Sequence, residues 1–468
     1  MSWVPTKRAH LILQEVHEKY GEVVRIGPNM VSFSNPELIP TVYPTREGFP
    51  KSDFYATLRP YTRGGGALQA VFNITDEKLH KKLKSPIAPI FSSASATSFE
   101  YLVDDTLQCL LKQLDTRFAV NREVLDLGKW VQFFAFDVMG TMTFSKRYGF
   151  LDNGRDTGGM LGSIVAFMRN AAPFTQVPRL DWIMRKNLIA DAILQFFNQR
   201  ASLSILGFVG GAIKDKREEL AKGAAKVGDE ASTRKDFLSR YIELQENNPE
   251  IPPWAPTAWT FSNVIAGSDS VGSLMRTIMF CLLSYPNTLD RLYNELLSAN
   301  LSRPFPGYKE VRNLPYLDAC VQEGARIHPP FALPFERVVP EGGVTILGHF
   351  LPAGTVIGGS PYVVNRHKPF FGEDAEFWRP ERWLERDDAH KKKLEQGVLT
   401  YGAGRRVCLG KHIGILEIKK LISFLVLNYD IRIVDREKFE VENSWFLFQT
   451  GLYAQIQKRS DPVVIIQS

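Results

Sequence analysis

The chain has 468 residues, 44% hydrophobic and 23% charged, with a formal net charge of +6; these are ordinary values for a globular protein with a large core, and four widely spaced cysteines exclude a disulfide scaffold. No run of about 18 apolar residues offers a membrane span, and no signal-peptide pattern opens the chain. The basic excess comes with no nucleic-acid-binding motif, so it reads as a solvated surface or, second, as a docking face for an acidic protein built on Lys81, Lys82, Lys84 and on Lys391, Lys392, Lys393.

Residues 8–19 carry a helical apolar period. The segments 23–26 and 30–33 alternate as strands about a turn at Gly27-Pro28-Asn29. Helical patterns follow at about 97–117, 127–144 and 186–222, and residues 223–235 have the composition of an exposed loop. The apolar stretch Phe196 to Val209 is expected to form a lid that dips into a membrane surface. A long helix is predicted over 255–284, ending before Pro286, and another over 315–327, stopped by Pro329-Pro330. Short strands are expected near 336–348 and 354–359, a last helix over 411–428, and strands near 430–434 and 446–457. No repeat or compositional break divides the chain, so residues 1–468 read as one domain, mainly α with a minor β part.

One cysteine stands apart. Cys109, Cys281 and Cys320 sit in apolar helical patterns and read as small core residues. Cys408 lies in Tyr401-Gly402-Ala403-Gly404-Arg405-Arg406-Val407-Cys408-Leu409-Gly410. Gly404 lets the backbone turn where a side chain would clash, and Arg406 offers a fork of donors suited to a carboxylate. Cys408 precedes an apolar-periodic helix, so its sulfur is expected near a helix N-terminus, where partial positive charge lowers a thiol's pKa. Gly410 permits a flat, bulky group to approach the backbone. Together these residues would hold a thiolate against a metal with N–H groups around the sulfur. The segment resembles the haem-binding signature of the cytochrome P-450 family, F-x-x-G-x-R-x-C-x-G: Gly404, Arg406, Cys408 and Gly410 match, and Tyr401 takes the Phe position.

Further strings occur in the family's order. Glu323 and Arg326, three apart, share one helix face, and Pro380-Glu381-Arg382-Trp383 follows about fifty residues later. Alone, such a pair is an ordinary surface pair; in this order Glu323, Arg326 and Arg382 resemble the family's buried ion network. Ala266-Gly267-Ser268-Asp269-Ser270, mid-way along the long helix, would alone be a small-residue packing patch. Small residues leave room for a flat cofactor and a diatomic ligand, a mid-helix Ser can bond back and bend the helix, and an acid beside an alcohol can relay protons. The string resembles the family's A-G-x-D/E-T oxygen-activation motif, with Ser270 for Thr. His80 and Lys84 stand where the family commonly has W-x-x-x-R facing a haem propionate, and Arg337 matches a further propionate-binding Arg.

The resemblance covers nearly the whole chain and implies the helix-rich cytochrome P-450 fold with small β-sheets. It implies haem b with Cys408 as the axial iron ligand, Tyr401, Gly404, Arg406, Gly410, His80, Lys84, Arg337, Ala266 and Gly267 around it, and Asp269 and Ser270 as catalytic residues. Only 60 residues follow Cys408, too few for a fused flavin or ferredoxin module, so electrons would come from NADPH through a separate flavoprotein reductase. With dioxygen, the expected reaction hydroxylates, demethylates or epoxidises a hydrophobic small molecule. Substrate contacts are inferred by family position at residues 56–75, Phe261, Ile265, Phe331, Leu333, Phe448 and Thr450, mostly apolar. Arg326-Ile327-His328-Pro329-Pro330 and Phe371-Gly372-Glu373-Asp374-Ala375 look like fungal secondary-metabolism members close to the pisatin demethylase-like group. Eukaryotic members usually open on an apolar anchor and a proline-rich hinge, both missing here; the resemblance implies the cytoplasmic face of the endoplasmic reticulum membrane. Rival readings are a haem-thiolate peroxygenase or isomerase using neither reductase nor dioxygen, a haem carrier or sensor, and a helical protein without haem.

Overall fold

The periodic stretches fold as helices whose ends follow from capping and proline chemistry. The computed structural model describes residues 3–61, 66–187, 189, 201–223 and 235–459. Its longer helices are α1 (Ala9–Tyr20), α2 (Glu77–Ile87), α3 (Glu100–Leu114), α4 (Leu127–Phe144), α5 (Met160–Ala171), α6 (Ala201–Gly223), α7 (Phe237–Glu246), α8 (Ala255–Ser284), α9 (Pro286–Ser298), α10 (Pro315–Ile327), α11 (Asp388–Gly397) and α12 (Lys411–Asn428). Asp76, Asp126, Asp236 and Asp387 accept backbone N–H bonds at the starts of α2, α4, α7 and α11, as N-cap residues do. Pro256, Pro286 and Pro315 sit in first turns, where a missing N–H costs nothing.

Eleven short strands are placed among the described residues: β1 (Val23–Gly27), β2 (Met30–Phe33), β3 (Leu125–Asp126), β4 (Arg337–Val338), β5 (Val344–Ile346), β6 (His349–Leu351), β7 (Val356–Gly359), β8 (Tyr429–Ile433), β9 (Glu440–Asn443), β10 (Leu447–Thr450) and β11 (Tyr453–Lys458). They form sheets ordered β1-β2-β7-β4, β3-β11-β8, β9-β10 and β5-β6. β2 and β7 pair in parallel, Val31 opposite Ile357, across more than 300 residues of chain. The stretch expected as one strand near 446–457 is broken at Gly451 (φ +81), where a Cβ would strike the Lys438 carbonyl.

Helices α4, α8 and α12 make the scaffold behind the site. α8 packs more extensively on α4 than on any other element, and α12 crosses α8 and packs on α9 and α10. Residues of α4 and α12 are buried nearly all round, as helices inside a large core must be. The pattern expected over 97–117 begins at Glu100 and continues past Leu114 as a π-type turn over Asp115–Ala119. Of the pattern at 186–222, Lys186, Asn187 and Ile189 are described and α6 forms from Ala201, with a separate helix at Pro178–Met184; residue 188 and residues 190–200 lie outside the described residues, as do 224–234 of the expected loop and 196–200 of the expected lid. The rest of that lid belongs to α6, where Ile205 and Val209 are buried in the core.

The expected ion network is formed. Glu323 accepts from Arg326 at Nε (2.9 Å) and Nη2 (2.8 Å), from Arg382 Nε (3.0 Å), from Trp383 Nε1 (2.9 Å) and from the Arg379 backbone N–H (3.0 Å). Burial alone would raise the Glu323 carboxyl's pKa, but Arg326 and Arg382 outweigh it and hold the group below its ordinary value. Arg326 also donates to the carbonyls of Asn365 and Phe377, which ties α10 to the segment leading to the cysteine loop.

Candidate functional site

The cysteine loop is fixed by its backbone. Gly404 has φ +58, and a Cβ there would enter the carbonyls of Tyr43 and Pro44; this is the turn the sequence requires. The Cys408 N–H donates to the Tyr401 carbonyl (2.8 Å), and Lys84 Nζ donates to the carbonyls of Arg405 (2.6 Å) and Val407 (3.3 Å). The Lys84 ammonium is thus engaged by the loop it braces and does not belong to an exposed docking face. Lys391 is likewise held, by Asp318 at 3.0 Å, and Lys393 lies 5.3 Å from the centre of the Phe370 ring. The N–H groups of Gly410 and Lys411 face the sulfur at the entry to α12.

The expected lowering of the Cys408 thiol does not prevail. Burial pushes its pKa up, and the N–H groups of Gly410 and Lys411 with the charge of Lys84 recover only part of that. The accessible surface of Cys408 opens onto a cavity of about 280 Å³. A sulfur in such a place needs a cation to stay ionised.

The cavity's border gathers much of the expected site. Tyr401, Arg406, Gly410, His80, Lys84, Arg337, Ala266, Gly267, Ser270, Phe261, Ile265 and Phe331 all line it. A side chain on Gly267 would run into the thioether of Met139 on α4. Ser270 Oγ donates to the Ala266 carbonyl at 2.6 Å.

Other expected residues lie elsewhere. Asp269 faces away from the cavity: adjacent helix positions are turned about 100° apart, so with Ser270 toward the cavity Asp269 points at α4. There it accepts from Gln132 Nε2 at 2.5 Å, its second oxygen unpartnered and its surface 8% exposed. Burial pushes its pKa up to about 7 against the pull of Arg276 and Gln132. Leu333 is buried in core packing. Thr450 is exposed, and Phe448 packs beside Phe446 and under the Arg169 guanidinium. Phe446, just before β10 and bridged to Phe331, lines the cavity instead.

The cationic rim is larger than the sequence suggested. Lys51 is buried, lies 3.8 Å from the centre of the Tyr55 ring and donates to the Phe72 carbonyl. Arg337 donates to Tyr55 Oη (2.9 Å) and the Glu336 carbonyl (2.8 Å). Neither has a carboxylate partner among the described residues. Burial, Arg337 and Arg406 push the Lys51 pKa well down. Burial first, then Arg406, Lys84 and Lys51, push His80 down to about 2, so its imidazole is neutral. Arg406 donates through Nη2 to Glu77 (2.6 Å), while its buried Nε has no partner. Among the described residues the one carboxyl on the cavity border is Glu417 of α12, buried with both oxygens unpartnered and its pKa pushed well up.

This arrangement fits haem. Clustered cations with unused donors at one edge match two propionates, glycines and Ala266 leave room for a flat ring, and Cys408 stands ready as a single protein ligand. Among the described residues no group of three or more His, Cys, Asp or Glu could hold a metal ion, so a metal on Cys408 needs a scaffold that the macrocycle would bring.

Comparison with known proteins agrees with this geometry. The family model for cytochrome P-450 matches residues 1–455. The chain is 73% identical over 465 residues to the cytochrome P-450 monooxygenase mfmA of Annulohypoxylon moriforme, covering 99% of this chain and 90% of that protein. It is 54% identical over 458 residues to the monooxygenase pkfB of Emericella nidulans (98% and 88% covered) and 52% identical over 462 residues to one from Aspergillus flavus (98% and 89%).

Proposed function

This chain belongs to the cytochrome P-450 family and is one of its monooxygenases, and from that premise we propose that it oxidises a hydrophobic small molecule of fungal secondary metabolism, using dioxygen and electrons passed from NADPH by a separate flavoprotein reductase. The observation that carries the reading is Cys408 at the wall of a mostly apolar cavity, with N–H groups facing its sulfur and uncompensated cations at one edge. In this reading Cys408 would hold the haem iron through its sulfur, and Lys51, Arg337, Arg406 and His80 would hold the propionates. Bound there, haem supplies dioxygen activation at iron, favoured by electron donation from the thiolate.

The protein's own residues do the rest. The aromatic walls bind the substrate and exclude water. Ser270 holds a proton at Oγ beside the reacting region, and Asp269, reached by a side-chain rotation away from Gln132, replenishes it. Likeness over nearly the full length to fungal monooxygenases supports a role in fungal metabolism. Among the described residues no helix is long and apolar enough to cross a membrane. Peripheral attachment to the endoplasmic reticulum remains part of the proposal, supported by the exposed side chains of Trp182, Ile183, Met184 and Ile189.

The test is spectroscopic. The ferrous carbon monoxide complex should show a strongly red-shifted Soret band, lost in Cys408→Ser and kept in Cys109→Ser, Cys281→Ser and Cys320→Ser. A wild-type protein without that band would sink the reading. Turnover with peroxide but none with NADPH, reductase and dioxygen would replace the monooxygenase reaction by a peroxygenase one.

A further inference from the structure

Part of the cavity wall is aromatic, built from Phe91, Phe167, Trp259 and Phe261. One amide is set into that wall. Asn263, Gly267, Ser270 and Leu274 all border the cavity, as positions i, i+4, i+7 and i+11 on one helix face should. Asn263 therefore lies seven residues, or about 10 Å, along α8 from Ser270.

Its orientation is set from outside the cavity. Asn263 Nδ2 donates to Tyr241 Oη at 2.9 Å, and Tyr241, on α7, is fully buried between Phe237 and Trp259. That bond uses one part of the amide; an Asn side chain has two N–H donors and a carbonyl acceptor, so hydrogen-bonding capacity is left toward the cavity. Asn73, the other amide on the border, has its oxygen taken by the Ala70 N–H and its nitrogen by the Leu58 carbonyl. The cations have other tasks: Lys84 braces the cysteine loop, Lys51 bridges to Arg337, and none of them hydrogen-bonds Asn263. A polar substituent meeting Asn263 is therefore best neutral.

We propose that Asn263 is a specificity-determining residue that hydrogen-bonds a hydroxyl of the substrate and so places a carbon about 10 Å away beside Ser270. A hydroxyl both donates and accepts, so it satisfies the amide whichever end faces the cavity. Tyr241 is the positioning residue behind it. An apolar analogue leaves the cavity-facing part of the amide without a partner among aromatic rings, and that penalty supplies the discrimination. This inference rests on the monooxygenase reading above.

Biphenyl and 4-hydroxybiphenyl, alike in shape and about two rings long, are suitable probes. Each is titrated into haem-loaded protein, and the dissociation constant is read from the spin-state shift. Wild type is expected to bind 4-hydroxybiphenyl roughly fivefold to tenfold more tightly than biphenyl, the worth of one net hydrogen bond. Asn263→Leu should erase that preference, chiefly by tightening biphenyl binding roughly fivefold to tenfold, because the amide that biphenyl leaves without a partner is gone. Should Asn263→Leu give no red-shifted carbon monoxide band, Asn263→Ala carries the same comparison. Equal affinities in wild type, no shift with either probe, or a preference that survives in the variant overturns the proposal. Absence of the carbon monoxide band in wild type overturns the monooxygenase reading itself.

Discussion

Replacing Asp269 by Asn tests the electrostatics behind the cavity. The folded protein holds this carboxyl at a pKa of about 7, against an ordinary 3.8. Folding therefore binds a proton that the unfolded chain loses, and the wild type loses stability as pH rises from about 4 to about 7. At 1.36 kcal/mol per pKa unit the full cost is about 4 kcal/mol. Between pH 6 and pH 8, where both proteins can be handled, the wild type should lose about 1.4 kcal/mol relative to Asp269→Asn. Asn keeps the side chain's shape and can still bond Gln132, so little else changes. Guanidinium unfolding of both haem-loaded proteins at the two pH values measures the difference, and the same variant should turn over roughly 100-fold more slowly, the lower bound for a lost proton donor. A stability gap that stays flat with pH would refute the buried, partly orphaned carboxyl and the relay assigned to it.

Glu323→Ala strands two buried guanidiniums, Arg326 and Arg382, and should destabilise the protein by about 3–5 kcal/mol; a thermal midpoint close to wild type would contradict the network. Lys51→Met should act in opposite senses on two measurements. The haem-free protein should gain stability, because a desolvated cation among cations is removed, while haem should dissociate roughly 10–100-fold faster, the worth of one charge-assisted bond. A slower or unchanged dissociation rate would remove Lys51 from the propionate set.

The helices at 127–144, 255–284, 315–327 and 411–428 could be read from the sequence because apolar period and proline punctuation agree there. Cys408 was legible because its glycines serve a local turn. The orientation of Asp269 was not legible: a string of small and polar residues does not say which of Asp269 and Ser270 the helix turns toward Gln132 of α4. Phe448 and Thr450 were misplaced because the backbone between Asn443 and Phe446 leaves sheet geometry, and no local signal marks which aromatic then meets the cavity. Lys51 carried no signal at all. Its place follows from a bridge to Arg337, 286 residues away, and from rings of Tyr55 and Phe72 that only tertiary folding brings together. Asn263 was hidden in an apolar run whose polar exception has meaning only beside Tyr241.

The two ends of the cavity differ in a way that bears on how the site is completed. At the cysteine end, Lys51, Arg337 and Arg406 crowd together with Lys84 near by, and one surface-edge carboxylate, Glu77, answers Arg406. Among the described residues no carboxylate forms an ion pair with Lys51 or Arg337, so the protein without its cofactor bears like-charge repulsion in a desolvated place. A dianionic ring edge would remove that repulsion, and an iron held at Cys408 would give its thiol, raised by burial, the cation it needs to ionise. Cofactor binding and folding of this end are therefore coupled. The far end has no such debt to charge: aromatic walls and one oriented amide are already in place. Selectivity for the substrate can thus reside in a preorganised apolar half, while the charged half takes its final electrostatic form with the haem.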